Sequence, residues 1–326
     1  MVPQVFSAEL PIIVVVGPTG AGKSELGLKL AKCIGGEIVN CDSVQVYRGF
    51  DIGTAKVLPE SRRGVPHHMI DVVGPGENLT AGAYARMARD VIGEVHQRGR
   101  IPIAVGGTGF YLRALLEGLS PAPERSTELR ERLQNLERRR PGILHRVLRR
   151  YDRAAAARIH ANDTPKLIRA IEITLLSGMP ATEAQTAPRD ALSGVRSLKI
   201  GLNPERQALY ARLNKRTEWI FENGLVEETE ELLRSGYDTS SKPMQSIGYR
   251  QALQLVCGNT SFDAAIEDCK VKTRNYAKRQ LTWFRAERDV CWIAGFGSNR
   301  AVHEAALQKA TTFLGPELQF FTQRHE

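Results

Sequence analysis

The apolar run Ile12-Ile13-Val14-Val15-Val16 leads directly into Gly17-Pro18-Thr19-Gly20-Ala21-Gly22-Lys23-Ser24. An apolar strand, a glycine loop and then a helix with Leu26, Leu30 and Ala31 on one face make the pattern of a phosphate cradle. The glycines let the backbone turn tightly, so that successive N–H groups point at one anion. Lys23 adds a point charge and Ser24 a hydroxyl for Mg²⁺. The chain is therefore expected to be α/β, a parallel sheet flanked by helices, binding something with two or more phosphates. The loop leaves open whether the phosphate is transferred, hydrolysed or released.

Residues 37–41 read as a second strand ending in Asp42-Ser43-Val44-Gln45-Val46-Tyr47, which puts a carboxylate at a strand end beside the phosphate loop, where open α/β sheets bind their ligands. Asp51-Ile52-Gly53-Thr54-Ala55-Lys56 reads as loop and 67–72 as an edge strand. His67 and His68 face opposite ways there and are read as structural rather than metal ligands. A helix over 81–98 precedes the buried strand 101–105, and Gly106-Gly107-Thr108-Gly109 opens a further helix whose free N–H groups face the same site. Beyond Gly118 the chain turns helical and arginine-rich, with Leu129, Leu133, Leu136, Leu144 and Leu148 at helical spacing. Residues 119–196 are read as an inserted all-helical subdomain, and 1–118 with 197–326 as the core. A long helix over 261–287 and a closing one over 301–314 complete the reading.

Charge is unevenly placed. Of a net +9 over 326 residues, 124–169 carry thirteen Lys or Arg against six Asp or Glu, and 270–288 carry seven against one. On an ideal helix Lys270, Arg274, Lys278, Arg285 and Arg288 fall within an arc of roughly 80°. Two basic patches point to a polyanion larger than a nucleotide, although solvated helix surface is the bland alternative. The apolar runs are too short to span a bilayer and the N-terminus has no leader pattern, so a cytoplasmic protein without membrane contact is expected; a monomer is the expected state. Cys33, Cys41, Cys257, Cys269 and Cys291 have no metal or redox spacing and are read as reduced thiols.

A phosphate-loop kinase would need a second carboxylate at a strand end, and the strand 101–105 ends in Gly106-Gly107 instead. The other chemistry keeps the cradle but makes the diphosphate a leaving group, with Asp42 taking the acceptor's proton. Asp42 with Gln45 three residues on equally fits a helix capping box.

The phosphate loop, Asp42-Ser43-Val44-Gln45-Val46-Tyr47-Arg48-Gly49, Asp51-Ile52-Gly53-Thr54-Ala55-Lys56, Val105-Gly106-Gly107-Thr108-Gly109-Phe110-Tyr111, Gly248-Tyr249-Arg250-Gln251 and Lys278-Arg279-Gln280-Leu281-Thr282-Trp283-Phe284-Arg285 together resemble the bacterial tRNA dimethylallyltransferases over about residues 10–294. The resemblance implies transfer of a dimethylallyl group from dimethylallyl diphosphate to N6 of adenosine 37 in the tRNA anticodon stem-loop, with Mg²⁺ on Ser24. It makes Asp42 the base, Thr19 and Arg216 diphosphate ligands (Arg212 next), and the loop from Gly17 to Ser24 the diphosphate site. It assigns tRNA contacts to Asp42, Ser43, Val44, Gln45, Thr108, Ser246, Gly248, Tyr249, Arg250, Lys278, Arg279, Gln280, Trp283 and Arg285. A further contact, Gln-Arg-x-x-Arg in the family, here reads Pro165-Lys166-Leu167-Ile168-Arg169, and lysine lacks the bidentate reach of arginine. An adenine-nucleotide isopentenyltransferase shares the loop and Asp42 but needs neither basic patch. A small-molecule kinase and a non-catalytic RNA-binding protein are more distant alternatives.

Overall fold

The structure, a computed structural model, describes residues 9–316. The ends of the expected core, 1–8 and 317–326, lie outside the described residues. Six strands, β1 (Leu10–Val16), β2 (Gly36–Asn40), β3 (His67–His68), β4 (Ile101–Val105), β5 (Val195–Asn203) and β6 (Val290–Ala294), form one sheet in the order β3-β2-β4-β1-β5-β6. Every pairing is parallel, with Ile13 opposite Ile103 on one side and Leu198 on the other. β1 is apolar throughout, because a central strand of a covered parallel sheet is buried on both faces. β3 spans only two residues, shorter than the expected 67–72, since Met69 and Asp71 both take positive φ and end the pairing.

The chain leaves β1 towards β2, passing β4, and leaves β4 towards β5, passing β1. Their carboxyl ends diverge at this switch point, which opens a crevice where the Gly17 to Ser24 loop and the Gly106-Gly107 turn face each other. Helix α1 (Lys23–Ile34) starts from this loop. Its Leu26, Leu30 and Ile34 are buried with Ile13, Val15, Ile103 and, from the last helix, Val302, Ala306 and Leu314. Each large apolar side chain there contributes about 2 kcal/mol of burial. Helices α2 (Ala81–Gln97) and α3 (Gly109–Leu116) follow, joined by Tyr84 stacked on Tyr111 with ring centroids 4.2 Å apart. Tyr84 also donates to the Asn40 carbonyl at 2.9 Å, fixing the end of β2 two residues before Asp42.

A second compact unit, Glu117–Ala191, contains α4 (Thr127–Arg139), α5 (Ile143–Tyr151), α6 (Arg153–Arg158), α7 (Thr164–Ser177) and α8 (Ala181–Ala184). β5 begins at Val195, inside the segment read as insertion. Ser126, Asp152 and Asp163 cap α4, α6 and α7 through their side chains. Leu133, Leu144, Leu148, Leu167, Ile168 and Ile171 form this unit's own core.

Back in the first unit, α9 (Arg206–Glu222), α10 (Leu225–Arg234), α11 (Tyr249–Val256) and α12 (Phe262–Arg285) precede β6, and α13 (Arg300–Leu314) closes the described chain. The basic stripe expected on the long helix is shorter and partly covered. α12 ends at Arg285, so Arg288 lies beyond it. Lys270 is ion-paired to Glu218 of α9 at 2.7 Å, and Arg274 bonds Asn214 of α9 at 2.7 Å. Helical spacing placed the charges on one arc without showing that α9 packs against part of it. Among the described residues, no helix is long and apolar enough to cross a membrane.

Candidate active site

Gly22 caps α1 with φ 87°, a left-handed conformation favoured by glycine. No side chain caps this helix, so the first-turn N–H groups, including those of Lys23 and Ser24, remain available to an anion. Lys23 Nζ donates to the Pro18 carbonyl at 2.9 Å and stays folded over the loop. Ala21 is fully buried and contributes only backbone.

Arg216 comes from α9, and its Nη1 donates to Thr19 Oγ1 at 3.4 Å. Thr19, Lys23, Ser24, Asp42 and Arg216 line one cleft. An adjoining cavity of about 360 Å³ shares Thr19, Asp42, Thr54 and Arg216 with it. Burial lowers the Lys23 ammonium to about 8; the Asp42 carboxylate opposes this shift and the Arg216 guanidinium adds to it. Burial also lowers Arg216. Two cations held in a desolvated cleft repel each other, and a bound polyanion relieves that cost.

Asp42 stands where the two spaces meet. Its Oδ1 accepts from the amides of Val44 at 2.8 Å and Gln45 at 3.3 Å. This is an Asx turn, since residues 43–46 are turn rather than helix, so the capping-box alternative holds only in part. One oxygen fixes the loop, and the residue lines both spaces. Thr108 Oγ1, in the turn after β4, accepts from the Ser43 amide at 3.1 Å and so braces the same turn.

Several residues expected on the RNA side have other duties. Gln280 is buried; its Oε1 accepts from the Thr19 amide at 2.7 Å and its Nε2 donates to the Gly107 carbonyl at 2.8 Å. Tyr249 is fully buried and donates to Glu228, and Gly248 is the buried cap of α11. Leu167 and Ile168 belong to the core of the second unit. Arg169 bonds the buried Glu172 at 2.6 Å, and Lys166 bonds Asp163 at 2.6 Å but remains exposed. Pro165 is also exposed. In the first unit, Lys278, Arg279 and Trp283 line a groove with Arg113, which lies 4.4 Å above the Trp283 ring. Arg250 and Arg285 are exposed, and Val44 and Ser246 line the cavity with Asp42.

Sequence reasoning missed Tyr276, Thr273 and Cys269 of α12, which also line the cavity. They continue the face of Gln280 at three- and four-residue steps, a signal that was readable. Burial pushes the Tyr276 phenol up, with the Asp42 carboxylate adding to the shift.

Residues 45–287 match the family model described as IPP transferase, and residues 10–71 match that of isopentenyl transferase. The chain is 53% identical over 306 residues to the tRNA dimethylallyltransferase of Solibacter usitatus (strain Ellin6076), covering 94% of this chain and 100% of that protein. It is similar to the crystal structure of the full-length tRNA isopentenylpyrophosphate transferase from Bacillus halodurans, with TM-score 0.68, 35% identity and coverage of 98% and 100% of the two chains. It is also similar to a eukaryotic dimethylallyltransferase captured acting on tRNA, with TM-score 0.79, 26% identity and coverage of 94% and 80%. The all-parallel sheet, the phosphate loop at its switch point and these matches agree, and the chain belongs to the IPP transferase family, with the tRNA dimethylallyltransferases as its relatives.

Proposed function

We propose that this chain transfers the dimethylallyl group of dimethylallyl diphosphate to N6 of adenosine 37, beside the anticodon of tRNA, and releases diphosphate. The observation that carries this reading is the meeting of two kinds of site at Asp42: a cationic phosphate cleft and a cavity, both lined by its carboxylate. The first-turn amides of α1, Lys23, Thr19 and Arg216 hold the diphosphate. They also take up negative charge as the allylic C–O bond breaks and its electrons leave with the phosphate. The exocyclic adenine amine is a weak nucleophile, so Asp42 accepts its proton as the C–N bond forms.

Mg²⁺ fits this cleft, because Ser24 at the loop's end and Asp42 both line it and offer the hard oxygen donors that the ion prefers. When bound by Ser24 and the diphosphate, Mg²⁺ would neutralise charge on the leaving group. The tRNA anticodon stem-loop is the partner in the same reading, held by the exposed Lys278 and by Arg279, which lines both the groove and the cavity, with the exposed Arg285 on the same helix. We place the protein in the cytoplasm as a monomer.

Diphosphate release, measured with and without tRNA in the presence of dimethylallyl diphosphate and Mg²⁺, tests the reading. Release should depend on tRNA. Consumption of ATP with a small-molecule acceptor would establish a kinase instead.

A further inference from the structure

We infer that Glu228 of α10 is a positioning residue for the transfer, clamping the 51–53 backbone and, through Thr54 and Gln45, fixing the turn that carries Asp42. The inference rests on the transfer reading and adds a residue that lines neither the cleft nor the cavity. Glu228 Oε2 accepts from the amides of Asp51 at 3.2 Å and Ile52 at 2.8 Å, and Oε1 accepts from that of Gly53 at 3.4 Å. Three successive N–H groups thus converge on one carboxylate, as they do around a bound anion. Tyr249 completes the clamp. Its hydroxyl donates to Glu228 Oε1 and accepts from the Gly53 amide at 3.1 Å. Burial pushes the Tyr249 phenol well above its ordinary range and Glu228 adds to that, so it remains a donor at neutral pH.

Gly53 also lies against the Tyr249 ring, where a Cβ would fall 2.5 Å from Cε2, so the loop cannot back away from α11 without losing this contact. From Gly53 the chain passes to Thr54, which lines both spaces. The Thr54 carbonyl accepts from Gln45 Nε2 at 3.1 Å, and the Gln45 amide in turn donates to Asp42 Oδ1. Buried Lys56 ties the far end of the loop back to its start, pairing with the Asp51 carboxylate at 2.6 Å, and donates to the Tyr47 carbonyl at 3.0 Å. Glu228 therefore governs the 51–53 backbone, which leads into Thr54, a neighbour of Asp42 in the lining of both spaces.

The test uses the full chain with Glu228→Gln, in which an amide donor replaces one accepting oxygen. Hydrogen exchange at the 51–53 amides should accelerate about tenfold or more relative to wild type. In the transferase assay kcat should fall about 10- to 100-fold, as expected for small misplacements of a reacting group. KM for dimethylallyl diphosphate should stay within about twofold, and adding Gln45→Ala should lower kcat by no more than about twofold again, because residues in one network are not additive. Unchanged exchange at 51–53 overturns the clamp whatever the substrate proves to be. A kcat loss that multiplies fully with that of Gln45→Ala overturns the route to Asp42. Tyr249→Phe keeps the ring against Gly53 and covers the case of an unfolded Glu228 variant: it should show the same exchange increase in smaller measure, and wild-type exchange would overturn the inference.

Discussion

The side-chain oxygen of Gln280 accepts a hydrogen bond from the amide of Thr19 at 2.7 Å, although 261 positions separate them in the chain. The same side chain donates to Gly107, so one buried amide ties the phosphate loop to the turn after β4. Gln280→Ala leaves both backbone groups without their partner, which costs about 1–3 kcal/mol. It should lower the melting temperature and raise KM for dimethylallyl diphosphate more than KM for tRNA. The reverse order of KM effects would return Gln280 to the RNA surface.

Asp42→Asn keeps an acceptor for the Val44 and Gln45 amides, so the turn should persist. Only the proton acceptor is removed. Turnover should fall about 10²- to 10⁴-fold while tRNA affinity changes little. Unaltered turnover would leave Asp42 with its turn-forming role alone.

Lys278 is exposed on α12 and lines the groove beside Trp283. Lys278→Ala should weaken tRNA binding and reduce the slope of log affinity against log salt by about 1. Measurement over a salt series checks this, and an unchanged slope would remove Lys278 from the phosphate contacts.

In the second unit Glu172 is fully buried, accepting from Arg130 at 2.8 Å, Arg169 at 2.6 Å and the Ser126 amide at 2.9 Å. Burial pushes its carboxyl up, but these bonds outweigh that and hold it at about 2, below the ordinary 4.5. A depressed carboxyl stabilises the fold fully above its unfolded value and loses that contribution as pH falls from 4.5 towards 2. The amount is about 3 kcal/mol. Glu172→Gln should flatten the stability profile of the full chain across this window in denaturant titrations; a profile with wild-type slope would contradict the assignment.

Much of the fold was legible because it is local. The apolar run of β1, the glycine loop and the buried 101–105 strand each state their structure within a few residues. The catalytic candidates were legible for the same reason, since Lys23 and Ser24 close the glycine loop after β1 and Asp42 stands two residues past the end of β2. Roles that depend on long-range packing were not. Gln280 and Tyr249 sit in segments that the resemblance assigned to tRNA, yet their side chains turn inward, and Lys270 and Arg274 of the supposed stripe meet α9. Glu228 carried no sequence signal, because three of its partners are backbone amides that any residues would supply and the fourth, the Tyr249 hydroxyl, lies 21 positions away.

The most direct test of the central claim is mass spectrometry of tRNA after incubation with the protein, dimethylallyl diphosphate and Mg²⁺. The account predicts a nucleoside heavier by one dimethylallyl group, in place of one hydrogen, mapped to adenosine 37. Unmodified tRNA in a reaction that prenylates free AMP would contradict it.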